Sequence, residues 1–301
     1  MTLKEYIMQH YSRKSVRRYI SQIEQFKAYQ GGRIDDTKYS EVVEYLGVLR
    51  ARNLHPKTIG NHLLSIKLYF RYLKAIGKRK DHPCESLYLK DQINRAIKVE
   101  ELYSMETLEK LYTTFETKDK RPGREKPQAI KKRDKIILSL LIYQALTTSE
   151  IIELRVNDIN LEEGTITIKP AKNPGKQGNK GRILPLKSKQ ILLFNDYITK
   201  YRIQLWKKQK PSSRTDYFIL SEQGLQLWGG YLNRMLSTQG NQRFTPMKIR
   251  QSVIAHLLKE NKDLRIVQEF AGHRKAGSTE AYKRSGFEEL KSSIEKLHPR
   301  Q

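Results

Sequence analysis

A chain of 301 residues with 58 Lys and Arg against 32 Asp and Glu carries a formal charge of +26. Such an excess calls for a polyanionic partner, because binding releases that partner's counterions, and it argues against an ordinary enzyme of small molecules. No apolar run approaches the roughly 20 residues of a membrane-spanning helix, the opening MTLKEYIMQHYSRKSV has no apolar leader core, and the lone Cys84 cannot form an internal disulfide or a Cys-based zinc site by itself. The expectation is a nucleic-acid-binding protein of a reducing, cytoplasmic, nucleoid-associated setting, with no membrane partner, no metal and no cofactor.

The first part reads as helices. SRKSVRRYISQIEQFKAY sets Val16, Tyr19, Ile20, Ile23, Phe26 and Tyr29 at steps of three and four, one apolar stripe, with Ser12 or Ser15 as N-cap and Gly31-Gly32 as exit. Val42, Tyr45, Leu46 and Leu49 make a second stripe. Ile59, Leu63, Ile66, Tyr69, Phe70 and Leu73 make a third, opened by Pro56 and closed by Gly77. The pattern weakens from about Tyr88, which predicts a linker over 89–103. A helix capped by Ser104 follows. KDKRPGREKPQ reads as a basic loop, RDKIILSLLIYQAL as a buried helix and EIIELRVNDI as a further helix. GTITIKPA alternates Ile166 and Ile168 with Thr165 and Thr167, which is strand periodicity. NPGKQGNKG is turn-like, and RILPL returns as the second strand of a hairpin. Helical patterns resume in SKQILLFNDYITKYRIQLW, KIRQSVIAHLLKE and LRIVQEFAG. The tail aligns Phe287, Leu290, Ile294 and Leu297 on one helical face.

Three stretches carry chemistry. TPMKIRQSVIAHLLKENKDLRIVQEFAGHRKAGSTEAYKR holds Arg250, the pair Gly272-His273, and Tyr282 nine positions after that histidine. ALTTSEIIELRVNDI holds Thr147 and Ser149-Glu150, and GKQGNKGRILPL holds Lys176, Lys180 and Arg182. Together these stretches resemble the tyrosine recombinases, the class that includes chromosome-dimer-resolving enzymes and phage and transposon integrases. The resemblance implies a mainly α protein with a small β-hairpin or sheet. It also implies two domains, a helical SAM-like core-binding domain at 1–88 and an α+β catalytic domain at 104–301 with a C-terminal helix. The tail helix would dock on a neighbouring protomer.

In that family a tyrosine oxygen attacks a phosphodiester, displaces a 5′-hydroxyl and leaves a 3′-phosphotyrosyl link, with no metal. The resemblance makes Tyr282 the nucleophile and Arg250 a bidentate clamp on the non-bridging oxygens. It makes His273 the group that handles the tyrosine proton and Lys176 the acid for the leaving oxygen. Lys172 and Lys180 compete with Lys176. Glu150 is expected to organise the arginines. Two positions depart from the pattern: Thr147 stands where the family has its first arginine, and Met247 where it has its first histidine. Losing one charged transition-state donor costs on the order of a hundredfold, and another cation, Lys248 or a loop lysine, could fill part of the gap.

HPKTIGNHLLSIKLYFRYL is similar to the last helices of the family's core-binding domain. It makes Lys57, Thr58, Asn61, His62 and Arg71 candidate phosphate or base contacts, joined by Lys180 and Arg182 from the hairpin. The implied partner is double-stranded DNA, gripped by a homotetramer at synapsis and by a monomer or weak oligomer otherwise. The function implied is site-specific integration, excision or inversion. The alternative is a relative that keeps DNA binding, has lost efficient cleavage and acts as an architectural or regulatory partner.

Overall fold

The computed structural model describes residues 1–11, 13–32, 34–91, 97, 101–116, 125–170, 179–237, 243–260 and 262–282. The chain divides into two compact units, Met1–Arg95 and Ala96–Gln301.

The first unit is helical: α1 (Leu3–His10), α2 (Arg13–Tyr29), α3 (Tyr39–Ala51) and α4 (Pro56–Ala75). The short α1 escapes a search for long stripes. A capping box holds it instead, with Thr2 and Glu5 satisfying each other's backbone N–H. Ser15 lies inside α2 and so is not its cap, while Ser12 falls outside the described residues. The three stripes meet as one core in which Phe26, Ile66 and Phe70 are fully buried. Ser65 Oγ donates to Gln22 Oε1 at 2.7 Å, a polar tie between α4 and α2 inside that core. Pro56 fills the first turn of α4, and Gly77 leaves it at φ +74°. Cys84 is also fully buried, which pushes its thiol up to about 11.

The second unit opens with α5 (Met105–Thr114), capped by Ser104, whose Oγ accepts from the Thr107 N–H at 3.1 Å. Next comes α6 (Gln128–Tyr143), buried on nearly every side as its sequence predicts. It brings Arg133 and Asp134 into the interior. Both are satisfied: Asp134 Oδ1 accepts from Arg133 Nε and Nη2, its Oδ2 accepts from the Tyr231 hydroxyl, and Arg133 Nη1 reaches the Leu220 carbonyl.

The stretch EIIELRVNDI is not one helix. α7 (Thr148–Glu153) stops early, and a single 3₁₀ turn over Val156–Asp158 leads into β1 (Ile159–Asn160). The Asp158 carboxylate accepts from the Arg155 N–H at 2.8 Å, the local side-chain competition that makes Asp and Asn poor helix residues. β1 pairs antiparallel with β2 (Thr165–Ile168), and β2 with β3 (Arg182–Pro185), in the order β1-β2-β3. In this register Ile166 faces Leu184 and Ile168 faces Arg182, so Arg182 shares the buried face of the sheet. α8 (Ser188–Asp196) runs through one wide π turn, Tyr197–Tyr201, into α9 (Arg202–Trp206). α10 (Gly230–Leu236), α11 (Pro246–Lys259) and α12 (Leu264–Ala271) complete the described elements. The tail positions Phe287 to Leu297 lie outside the described residues. Among the described residues no helix is long and apolar enough to cross a membrane.

Candidate active site

Arg250, His273 and Tyr282 converge in the second unit. Arg250 sits on α11 and is 7 % exposed. Its Nη1 donates to the Ala145 carbonyl and its Nη2 to the Ala271 carbonyl, the latter at 2.6 Å. Both acceptors are neutral, so these bonds orient the guanidinium without quenching its charge. Burial lowers its pKa, with the Glu150 carboxylate opposing and the Arg182 charge reinforcing that shift.

α12 ends at Gly272, which takes the left-handed conformation at φ +68°. The turn brings His273 back toward Arg250. The His273 N–H donates to the Gln268 carbonyl at 3.0 Å, and Gln268 Nε2 returns a bond to the His273 carbonyl at 3.0 Å. His273 Nδ1 lies 2.9 Å from Thr279 Oγ1. Nδ1 is thereby engaged, and Nε2 is the ring nitrogen left for proton transfer. Burial, then the charges of Arg250 and Arg182, lower the His273 pKa to about 4, so the ring is neutral at pH 7. The Tyr282 ring stacks on it with centroids 6.4 Å apart and planes at 18°. Burial raises the Tyr282 pKa, and the positive Arg250 works in the opposite direction.

The opposite wall is organised by Glu150. Its Oε2 accepts the Thr147 N–H at 2.7 Å and the Thr147 hydroxyl at 2.9 Å. Its Oε1 accepts Arg182 Nη1 at 2.6 Å and Asn179 Nδ2 at 3.0 Å. Burial disfavours its charge, yet Arg182 and the other donors hold the carboxyl below the usual range. Thr147 is thus the N-cap of α7, its Oγ1 also accepting the Glu150 N–H. Met247 lies on the first turn of α11 and is 69 % exposed. The Lys248 ammonium rests 5.1 Å from the centre of the Tyr103 ring.

One of the candidate DNA contacts needs correction. His62 is buried at 4 %, and its Nδ1 lies 3.1 Å from the Tyr45 hydroxyl. Three residues after Ile59 and four before Ile66, it falls on the core stripe of α4, so it packs the unit and does not face a partner. Arg182 is also buried, 7 % exposed, with its guanidinium against Glu150. Lys57, Arg71 and Lys180 are exposed, and Thr58 and Asn61 partly so. Lys172 and Lys176 lie outside the described residues. Thr279, fully buried against His273, was not singled out in the sequence. Its only signal there is its place between the Gly-His pair and Tyr282.

The profile of the phage integrase family matches residues 103–289. The chain belongs to the phage integrase family. The profile of the integrase N-terminal SAM-like domain also matches, over residues 3–77. Within the family, this chain is similar to the tyrosine recombinase XerD of Listeria innocua, at 27% identity over 88% of this chain and 84% of that one. It is similarly related to XerC of Natranaerobius thermophilus, at 27% identity over 92% and 87%. Among solved structures, the integrase fold is shared with XerH bound to a palindromic difH substrate, with a TM-score of 0.67 and 18% identity over 93% and 79%. It is shared also with the Tn1549 transposon integrase in complex with circular intermediate DNA, with a TM-score of 0.61 and 18% identity over 97% and 99%.

Proposed function

We propose that this chain is a site-specific recombinase that breaks and rejoins duplex DNA through a covalent tyrosine link. The observation that carries this reading is Tyr282 stacked on a neutral His273 beside Arg250, all from one chain. Tyr282 Oη attacks the scissile phosphorus as His273 Nε2 takes its proton. The P–O5′ bond breaks, the 5′-oxygen receives a proton, and a 3′-phosphotyrosyl ester remains. Arg250 binds non-bridging oxygens, whose negative charge grows in the transition state. We assign the proton on the 5′-oxygen to Lys176 of the hairpin, with Lys172 and Lys180 as competitors. The core-binding unit grips the backbone through Lys57, Thr58, Asn61 and Arg71, all on α4. A homotetramer on two sites, one protomer for each strand cut, fits the family's fold. The lambda integrase structure that shares this fold is a tetramer bound to a Holliday junction.

A second reading is a DNA-binding relative without efficient cleavage. It is favoured by Thr147, whose side chain is spent on capping, and by Met247, which faces outward without charge.

The test starts from duplexes selected for binding from a randomised pool. They are nicked at successive positions near the centre so that a cut strand cannot be religated. A covalent protein–DNA adduct on a denaturing gel is expected, and Tyr282→Phe should abolish it. Tight binding with no adduct at any nick position overturns the enzyme reading. An adduct that persists in Tyr282→Phe overturns the nucleophile.

A further inference from the structure

Thr147 leaves the pocket one charged donor short of the family pattern, and its hydroxyl is fully engaged with Glu150. The deficit is met from another element. Arg182 enters from β3, on the inward face of the sheet, and its side chain is 2 % exposed. Among the described residues only Nη1 is paired, to Glu150 Oε1 at 2.6 Å and more weakly to the Lys180 carbonyl at 3.4 Å. Nε and Nη2 are buried with no hydrogen-bond partner among the described residues. These two nitrogens form the side-on edge of a guanidinium, the edge that takes two oxygens of a phosphate at once. Arg133 in the same unit shows this edge in use, directing Nε and Nη2 at the Asp134 carboxylate.

Burying charged donors unpaired is costly. A side chain so placed is stabilised when an anion arrives. Gly272 makes room for it: a Cβ there would collide with the Arg182 guanidinium. The same glycine delivers His273, so Arg182 lies against the turn that carries the proton acceptor. The Lys180 N–H donates to the Gly272 carbonyl at 2.9 Å, tying the strand that bears Arg182 to that turn. With Arg250 and Arg182 positive and Glu150 negative, the pocket keeps a net positive charge, as a site for a phosphodiester requires.

We propose that Arg182 is the second phosphate-binding cation of the pocket, supplying from β3 the guanidinium that Thr147 does not. This rests on the strand-exchange reading above. The side-on edge is shielded from water in this structure.

The experiment compares two nicked duplexes, one with an ordinary scissile phosphodiester and one with an uncharged methylphosphonate at that position. Arg182→Met should slow adduct formation about a hundredfold on the phosphodiester. On the methylphosphonate, where one non-bridging oxygen and its charge are gone, the loss should shrink to a few-fold. Arg182→Lys, which keeps the charge but not the fork, should fall between and serves if the Met variant does not fold. An equal loss on both duplexes, as a purely positioning residue would give, overturns the proposal, and so does no loss on the phosphodiester. Binding in the Tyr282→Phe background gives a separate readout. There the methylphosphonate should weaken binding about tenfold, and adding Arg182→Met should shrink that difference to a few-fold, Arg250 still meeting the phosphate. An undiminished difference overturns the proposal. If the wild-type chain forms no adduct on either duplex, the strand-exchange reading fails, and the binding comparison still decides whether Arg182 holds the phosphate.

Discussion

The two walls of the pocket treat positive charge in opposite ways. On the wall built by α11 and α12, Arg250 is anchored to two backbone carbonyls, so its orientation is fixed while its charge stays available. On the wall built by α7 and β3, Arg182 is anchored to a carboxylate, so part of its charge is spent before any ligand arrives. A guanidinium held by neutral acceptors is the stronger electrophile toward a phosphate. One held by a buried carboxylate is better fixed but weaker. On the strand-exchange reading proposed above, the first wall carries the larger share of transition-state stabilisation, and the second completes it.

Arg250→Met should reduce single-turnover adduct formation at saturating DNA by several hundredfold, more than the loss set for Arg182→Met. It should also destabilise the fold by about 1–3 kcal/mol, since the Ala145 and Ala271 carbonyls lose their donors. Equal rate losses for the two arginines would break the comparison.

His273 tests the electrostatics of the first wall. Its folded pKa, about 4, lies below the ordinary 6.5. Between these values the unfolded chain binds the proton and the folded chain does not, so stability falls as pH drops from 7 toward 4, by at most about 3 kcal/mol. Urea unfolding across that range should show the slope, and His273→Gln should flatten it. An unchanged slope in the variant would place the acid sensitivity elsewhere.

The smallest effect concerns Ala145, which holds φ +49°. The sequence block resembled here has glycine at that position, and an L-residue in the left-handed region costs about 1 kcal/mol. Ala145→Gly should therefore stabilise the second unit by somewhat less than about 1 kcal/mol after the entropy lost by glycine. Its melting temperature should rise by about 1–3 °C. A fall would mean that the alanine methyl contributes packing that outweighs the strain.

Much of this was legible in the sequence. The stripes through Phe26, Leu46 and Ile66 were set by helical period, and the hairpin by the alternation of Ile166 and Ile168. Gly272-His273 and Tyr282 were set by fixed spacing along one short stretch. What escaped depended on partners far apart in the chain. His62 looked like a contact because it is polar on a basic helix, but its angle on α4 turns it to Tyr45. Arg182 looked like an exposed contact because it follows a lysine-rich turn. Carrying the strand alternation one step further, through Arg182, Leu184 and Leu186, would have turned it inward. The early end of α7 depended on Asp158 folding back onto the Arg155 N–H, a choice that helical periodicity over EIIELRVNDI could not show.

Cys84 has a practical consequence. It is the chain's single cysteine, fully buried, with its thiol held at about 11, and reagents that label cysteine require the thiolate and access to it. The natural protein should therefore be nearly silent toward maleimides at neutral pH. One cysteine placed on each unit, at exposed Val43 of α3 and exposed Leu192 of α8, gives two optical handles without engineering a background away. The separation of the two units could then be followed by energy transfer as a recombination site is added.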